Sequence, residues 1–181
     1  ALLAEIAATG DRVLVLEDTV ELQCAARDHV PLRTRAGVVS MTELVRSSMR
    51  LRPDRVVVGE VRGAEALDLI KVWGTGHPGG IATIHAGSAL GALLRLEQLI
   101  LEVAVNPPRA LIAEAVNVVI HIAGRGRKRR IESIARVVGF DGVGYQLVDA
   151  LETPFPELPP IPDAAPAAAT SSSPDQPGEL P

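Results

Sequence analysis

Two hydrophobicity patterns alternate along the first 115 residues. Short aliphatic runs predict strands at residues 12–17, 30–34, 55–59 and 80–85. Amphipathic patterns predict helices after them, beginning near residue 40 and covering 64–73 and 88–104, with one more helix after 106–108. Because strands and helices alternate, we expect an α/β fold with a mainly parallel sheet and helices on both of its faces.

Residue types at the helix ends support these boundaries. Ser40 and Glu43 have the Ser-x-x-Glu spacing of a capping box, in which each side chain accepts a hydrogen bond from the backbone of the other. Pro53 is placed to end that helix, and Gly74 to end the next one.

A different pattern follows residue 115. Three strand-like segments, at 116–123, 131–140 and 145–148, are separated by glycine-rich turns. We expect antiparallel strands there that extend or flank the sheet.

The composition changes again at the end of the chain. Residues 154–181 contain nine of the 14 prolines, and residues 151–181 carry five acidic side chains and no basic one. The net charge of −4 therefore comes from this segment, while residues 1–150 have a balance of +1. We expect a folded domain over 1–150 and a disordered Pro/Ala/Ser-rich tail over 151–181.

Composition also excludes several classes of protein. With four aromatic residues among 181, the chain is poorly suited to stack the bases of single-stranded nucleic acid. Cys24 is the only cysteine, which excludes an internal disulfide and a cysteine-rich zinc site. No apolar run approaches the ~18 residues that a membrane-spanning helix needs.

The chain begins without Met or a basic leader, and residues 1–8 resemble the end of a helix. We therefore expect the sequence to start at an interior position of a larger protein.

Titratable residues follow three of the predicted buried strands. Glu17 and Asp18 end the first, Glu60 the third and His85 the last. The carboxyl ends of parallel strands share one edge of a sheet, where ligands bind in open α/β folds. A single acidic residue after a strand is usually a cap or loop residue, but three converging positions favour a site.

The segments around these residues resemble a known family. VLVLEDTVEL, LRPDRVVVGEVRGAEALDLI and GTGHPGGIATIHAGSALGALLRLEQL are similar to the acidic box, the modified Walker B and the histidine box of the type II/type IV secretion ATPases. The resemblance covers roughly residues 1–150 and is strongest to the conjugative-transfer, TrbB-type branch. It implies a RecA-like P-loop ATPase core that assembles into a homo-hexamer on the cytoplasmic side of a membrane-spanning secretion channel.

The resemblance assigns roles to the acidic residues, with ATP and Mg²⁺ as cofactors. Glu60 matches the glutamate that orients or polarises the attacking water. Gly59 stands where ordinary P-loop ATPases have a Mg²⁺-linked aspartate, as it does in this family. Glu17 and Asp18 match the acidic box, which helps to hold Mg²⁺ and water.

The basic residues are assigned in the same way or stay open. His85 matches the histidine that senses the γ-phosphate, while from the residue alone a hydrogen-bonded structural role is an equal alternative. His77 opens the same box, and bracing of the glycine-rich loop suits it better than contact with nucleotide. Arg62 is suited to pair with a carboxylate or a phosphate. Arg46 and Arg50, one turn apart on a helix, are candidates for contact with a ring neighbour or nucleotide, and a solvated helix face is an equal alternative.

One part of an ATPase is absent from the sequence. Lys71 and Lys128 are the only lysines, and neither belongs to the Gly-x-x-x-x-Gly-Lys-Ser/Thr loop that grips the β- and γ-phosphates. In the family that loop lies just before the helix that residues 1–8 resemble. We therefore expect a truncated chain that binds ATP negligibly by itself.

Two functional interpretations remain. The first is part of a hexameric motor, peripheral at the inner membrane, that powers conjugative transfer or type IV secretion. The second is a non-catalytic fragment that docks onto full-length subunits or onto inner-membrane channel components. Five basic residues within 125–130 suit contact with DNA or anionic lipid, and they also suit a solvated hairpin turn.

Overall fold

A computed structural model describes residues 2–77 and 79–152, so the predicted tail lies outside the described residues except for its first two positions. The helices are α1 (Leu2–Ala7), α2 (Met41–Ser48), α3 (Glu65–Gly74), α4 (Ala89–Ile100) and α5 (Arg109–Ala115). The strands are β1 (Val13–Glu17), β2 (His29–Arg33), β3 (Arg55–Val58), β4 (Ile81–Ala82), β5 (Val118–Ala123), β6 (Arg130–Phe140) and β7 (Tyr145–Asp149). Short 3₁₀ turns occur at Met49–Leu51 and Gly126–Lys128.

The first four strands form one parallel sheet in the order β2-β1-β3-β4. All five residues of β1 are buried, as are the last three of β3. A strand buried on both faces must carry aliphatic side chains on both, which is why these segments are continuous runs of Val and Leu. The predicted α/β fold with a parallel sheet is confirmed.

Helices cover both faces of this sheet. Leu14 and Leu16 of β1 point into the larger core, where they meet Leu44 of α2 and further residues of α3. The alternate residues of β1 point into a smaller core that contains Ile6 of α1. Successive side chains of β1 therefore point alternately into two cores, as predicted for a sheet with helices on both sides.

The last three strands form a separate antiparallel sheet in the order β5-β6-β7. Val137 and Tyr145 of this sheet belong to the same larger core as β1 and β3. The antiparallel strands therefore flank the parallel sheet rather than extend it.

Most predicted boundaries agree with the structure. The capping box is formed: Glu43 accepts from Ser40 N at 2.7 Å, and Ser40 Oγ accepts from Glu43 N at 3.3 Å. The strand predicted over 80–85 is shorter, since only Ile81 and Ala82 pair with β3. After Ala82 the chain no longer pairs with β3 itself. It bonds instead to the loop that follows β3, where Thr83 O accepts from Val61 N at 2.9 Å.

None of the helices formed by residues 2–77 and 79–152 is long and apolar enough to cross a bilayer.

Candidate active site

Polar side chains follow all four strands of the parallel sheet at its carboxyl edge. In the order of the sheet they are Thr34 after β2, Asp18 after β1, Glu60 after β3 and His85 after β4. The structure therefore brings together three residues that were predicted from separate motifs, and it adds Thr34, which was not.

Glu60 lies at the centre of this row. Its side chain is 30% exposed, and its Oε1 atom is 3.1 Å from Nε2 of His85. Its other oxygen, Oε2, is 3.6 Å from Nε of Arg62. One half-buried carboxylate is thus flanked by a basic group on each side.

The row continues from Arg62 to the neighbouring strands. Arg62 Nη2 contacts Oδ2 of Asp18, and the other oxygen of that carboxylate accepts from Thr34 Oγ1 at 2.7 Å. A continuous series of polar contacts therefore runs across the edge of the sheet, from β2 to β4. We call these five residues, Thr34, Asp18, Arg62, Glu60 and His85, the carboxyl-edge cluster.

The backbone that carries Arg62 is fixed by a buried carboxylate. Glu65, at the start of α3, accepts from Arg62 N at 2.7 Å and from Gly63 N at 2.9 Å. Glu65 is buried, and a buried carboxylate without hydrogen-bond partners would be unfavourable. The two backbone N–H groups provide those partners. Sequence reasoning missed it, although its spacing from Arg62 repeats that of Ser40 and Glu43.

Thr83 fixes the backbone on either side of Glu60. Its Oγ1 donates to Gly59 O at 2.6 Å, and its carbonyl accepts from Val61 N at 2.9 Å. These bonds explain why the loop after β3 keeps Glu60 at the sheet edge. No pattern in the sequence marks a threonine for such a role.

Glu17 is placed differently from the other acidic residues. It is buried, and its Oε1 accepts from the backbone N–H groups of Glu21 and Leu22 at 2.9 and 2.8 Å. One oxygen of Glu17 thus holds the loop after β1, and its catalytic role stays a prediction.

His77 does not join the carboxyl-edge cluster. It lines a pocket of about 550 Å³ together with Asp11, Arg55 and Gly76, which precede or begin strands. The amino ends of the strands lie at this edge, so the two histidines of one sequence motif are at opposite ends of the sheet. The Nδ1 atom of His77 is buried and has no hydrogen-bond partner among the described residues.

The two helical arginines are also accounted for. Arg46 Nη2 lies 3.0 Å from Oδ2 of Asp68, a pair that joins α2 to α3. The hydrogen bond that Arg46 donates to the Asp68 carboxylate raises the pKa of Arg46 above its ordinary value. Arg50 lies in the 3₁₀ turn that follows α2. Contact of either residue with a ring neighbour or nucleotide remains a prediction.

The chemistry of the donor set decides which cofactor fits this edge. Within residues 2–77 and 79–152, no three His, Cys, Asp or Glu side chains are grouped as ligands of a metal ion. The carboxyl-edge cluster offers instead a carboxylate that can accept a proton or a water, and two basic groups that can meet phosphate oxygens. These basic groups are suited to contact the oxygens of a phosphate group.

Comparison with known proteins identifies relatives of this chain. Residues 1–132 match the family model described as type II/IV secretion system protein. The chain is 48% identical over 148 residues to conjugal transfer protein TrbB of Rhizobium radiobacter, which covers 81% of this chain and 46% of that protein. It is 35% identical over 140 residues to type IV secretion system protein PtlH of Bordetella pertussis, covering 68% of this chain and 41% of that protein.

Solved structures show the same fold. The VirB11 ATPase of the Brucella suis type IV secretion system matches with a TM-score of 0.63 and 29% identity, over 74% of this chain and 44% of that one. The pilus retraction motor PilT matches with a TM-score of 0.53 and 18% identity, over 82% of this chain and 42% of that one, a likeness of fold alone. The chain thus spans less than half the length of these relatives. Since the family model covers well over half of the 181 residues, the chain belongs to the type II/IV secretion system protein family.

Proposed function

We propose that this chain supplies the water-positioning and phosphate-sensing edge of an ATP-hydrolysing motor for conjugative transfer or type IV secretion. The observation that carries the proposal is the half-buried carboxylate of Glu60, held between His85 and Arg62 at the end of a buried strand. The relatives TrbB and PtlH, whose names refer to conjugal transfer and type IV secretion, support the choice of process.

Glu60 is suited to orient the attacking water. Phosphoryl transfer requires positioning and charge neutralisation more than covalent chemistry, and a bound Mg²⁺ with its nucleotide supplies the electrophilic phosphate. Thr83 fixes the backbone on both sides of Glu60, so the position of its carboxylate is well defined. A carboxylate held in this way can orient a water for attack. Asp18 and Glu17, at the end of the neighbouring strand β1, would help to hold Mg²⁺ and its waters when a nucleotide is bound.

Arg62 and His85 are suited to exchange partners. The side chain of His85 is 95% exposed and that of Arg62 is 57% exposed, so both can turn from Glu60 toward a phosphate without breaking a packed core. When they turn, they release the carboxylate for water, and Arg62 brings positive charge and His85 a hydrogen-bond donor to the transferred phosphoryl group. In this proposal the contacts with Glu60 represent the state before the nucleotide is engaged.

The remaining parts of the motor are proposed to come from outside these residues. The 181 residues contain no Gly-x-x-x-x-Gly-Lys-Ser/Thr loop, so the β-phosphate must be gripped by polypeptide that this sequence does not include. We propose that the complete protein works as a homo-hexamer at the cytoplasmic face of the inner membrane, in contact with the channel. The 181-residue chain alone should then bind ATP negligibly, and micromolar binding of a nucleotide analogue would contradict the proposal.

The test is Glu60→Gln in the complete motor protein. The amide keeps the size of the side chain but accepts a proton poorly, so we expect ATP turnover to fall by about 10²–10⁴-fold. Binding of a non-hydrolysable analogue should stay within about threefold of the wild type, since Glu60 acts on water and not on the nucleotide. The matched control is Glu114→Gln, an exposed glutamate of α5. Retained turnover in Glu60→Gln would remove Glu60 from the proposed mechanism.

A further inference from the structure

The outer face of the β5–β6 hairpin exposes aliphatic side chains. Val118, Ile120 and Ile122 alternate along β5 on this face, and Ile131 of β6 pairs directly with Ile122. Ile122 and Ile131 are each 59% exposed, and Ile120 is 45% exposed. The alternate β5 residue Val119 packs against the larger core, so β5 has one side toward the core and one aliphatic side that the described residues leave exposed.

A dense group of cations lies at the end of the same hairpin. The turn between β5 and β6 and the first residue of β6 hold five basic side chains within six residues, all exposed: Arg125, Arg127, Lys128, Arg129 and Arg130. Arg130 pairs with Glu132 at 3.4 Å, and in the part of the chain that the structure describes the other four form no ion pair. Like charges held this close repel each other, so the cluster favours a polyanionic neighbour.

The shape of the turn is fixed by its backbone. Gly124 has φ +87°, and a Cβ at this position would lie 2.2 Å from the carbonyl oxygen of Lys128. The chain therefore closes tightly at the base of the turn, and the cations project from a defined loop beside Ile122 and Ile131.

We propose that this surface, which we call the hairpin face, docks on an anionic lipid bilayer. It consists of the aliphatic strip Val118, Ile120, Ile122 and Ile131 with the basic turn 125–130. Lysine and arginine attract an anionic leaflet, and aliphatic side chains beside them are suited to enter the boundary between headgroups and acyl chains. The inference rests on the proposed placement of the motor at the inner membrane and names the surface that would face the lipid.

Two other occupants fit the hairpin face less well. A second copy of the same face would bring two sets of five cations together, which opposes association. Nucleic acid would satisfy the cations but would leave the isoleucines without an apolar contact, and the face has no exposed aromatic ring for base stacking. A lipid surface is the occupant that uses the charged part and the aliphatic part at once.

The two parts of the face make separable contributions to binding. Electrostatic attraction is strong at low ionic strength and is largely screened at about 1 M salt, where the Debye length is ~3 Å. Burial of isoleucine is not weakened by salt in this way. Loss of the cations should therefore weaken binding at low salt, and loss of the isoleucines should remove whatever binding remains at high salt.

The experiment is co-sedimentation of the 181-residue chain with vesicles of phosphatidylglycerol and phosphatidylcholine in equal parts, with pure phosphatidylcholine vesicles for comparison. The first variant changes Arg125, Arg127, Lys128 and Arg129 to Gln. The matched control changes four exposed arginines elsewhere, Arg27, Arg33, Arg35 and Arg95, to Gln, so that both variants lose the same charge. Circular dichroism melting shows whether each variant is folded.

We expect the hairpin variant to lose at least about tenfold in partition to anionic vesicles, since each cation near the surface contributes roughly fivefold. The control should lose less than about threefold. A second variant, Ile122→Thr with Ile131→Thr, keeps β-branched residues on the strands and should abolish the binding that persists at high salt.

Three results would overturn the proposal. They are absence of wild-type binding to anionic vesicles, equal losses in the hairpin variant and the control, or tighter binding to duplex DNA that the Ile→Thr variant leaves unchanged. The last result would assign the basic turn to nucleic acid. None of these measurements uses ATP turnover, so failure here is distinguishable from failure of the Glu60 proposal.

Discussion

The two ends of the parallel sheet carry the same types of residue in different arrangements. At the amino edge, Arg55 Nε lies 2.5 Å from Oδ2 of Asp11, and Arg55 Nη1 donates to Gly79 O at 3.1 Å. At the carboxyl edge, Arg62 is shared between Asp18 and Glu60. Each edge also has a histidine from the same sequence motif.

Exposure and connectivity separate the two edges. Both side chains of the Arg55–Asp11 pair are about three-quarters buried. Because Arg55 also donates to Gly79 O, it connects the loops that lead into β1 and β4, and we assign the pair a structural role. Arg62 and His85 are more than half exposed and flank a single carboxylate. We infer that a charged group at a strand end is suited to chemistry where it is exposed enough to change partners, as Arg62 and His85 are.

A large effect should separate the two histidines. In the complete motor protein, His85→Gln removes a basic group beside Glu60, and we expect ATP turnover to fall by about 100-fold, as for loss of one transition-state donor. His77→Gln acts at the opposite edge and should change turnover by less than about twofold. Steady-state hydrolysis of both variants at saturating ATP measures the difference. Equal losses would mean that the two edges do not differ in function.

A smaller effect should follow from loosening the backbone of Arg62. Glu65→Ala removes the acceptor of two backbone N–H groups, so the loop after Glu60 becomes less defined and turnover should fall about tenfold. Glu65→Gln keeps one acceptor oxygen and should lose less. Turnover per folded molecule, with melting temperature measured alongside, gives the answer. Full activity in folded Glu65→Ala would show that the loop needs no such support.

The fold was largely predictable because its signals are local. Continuous aliphatic runs marked β1 and β3, and the capping box at Ser40 marked the start of α2 within one residue. The position of His77 was not predictable in the same way. His77 and His85 are eight residues apart, and the short strand β4 between them places one before the sheet and the other after it.

The site was predictable as a set of strand-end residues but not in its supporting contacts. Glu60, Asp18 and His85 follow strands, so topology alone brings them together. Thr34 acts through its hydroxyl group, and Thr83 acts through its hydroxyl group and its carbonyl. Neither residue has a periodic or spacing signal in the sequence. Glu65 has the spacing of a capping box from Arg62, but an arginine at the first position does not complete that pattern.

The smallest effect concerns pH at the amino edge. Contact with the Thr9 side chain, followed by the Arg55 guanidinium, lowers the pKa of Asp11 below its ordinary value of 3.8. A carboxyl whose pKa is lower in the folded state stabilises the protein above its unfolded pKa, and this contribution is lost as the pH falls through the folded value. Unfolding free energies of the 181-residue chain between about pH 5 and pH 2 should therefore fall less steeply in Asp11→Asn. An identical pH dependence of the unfolding free energy in the wild type and Asp11→Asn would contradict the structural role of the Arg55–Asp11 pair.

The most direct test makes the same chemical change at both edges, with Glu60→Gln and Asp11→Asn compared in the complete motor protein. Each replaces one carboxylate with its amide, and ATP turnover and melting temperature are measured on the same preparations. We predict that Glu60→Gln loses at least about 100-fold in turnover with little change in melting temperature, while Asp11→Asn melts lower and keeps turnover within about twofold. Retained turnover in Glu60→Gln, or an equal loss in Asp11→Asn, would contradict the assignment of the reaction to the carboxyl edge.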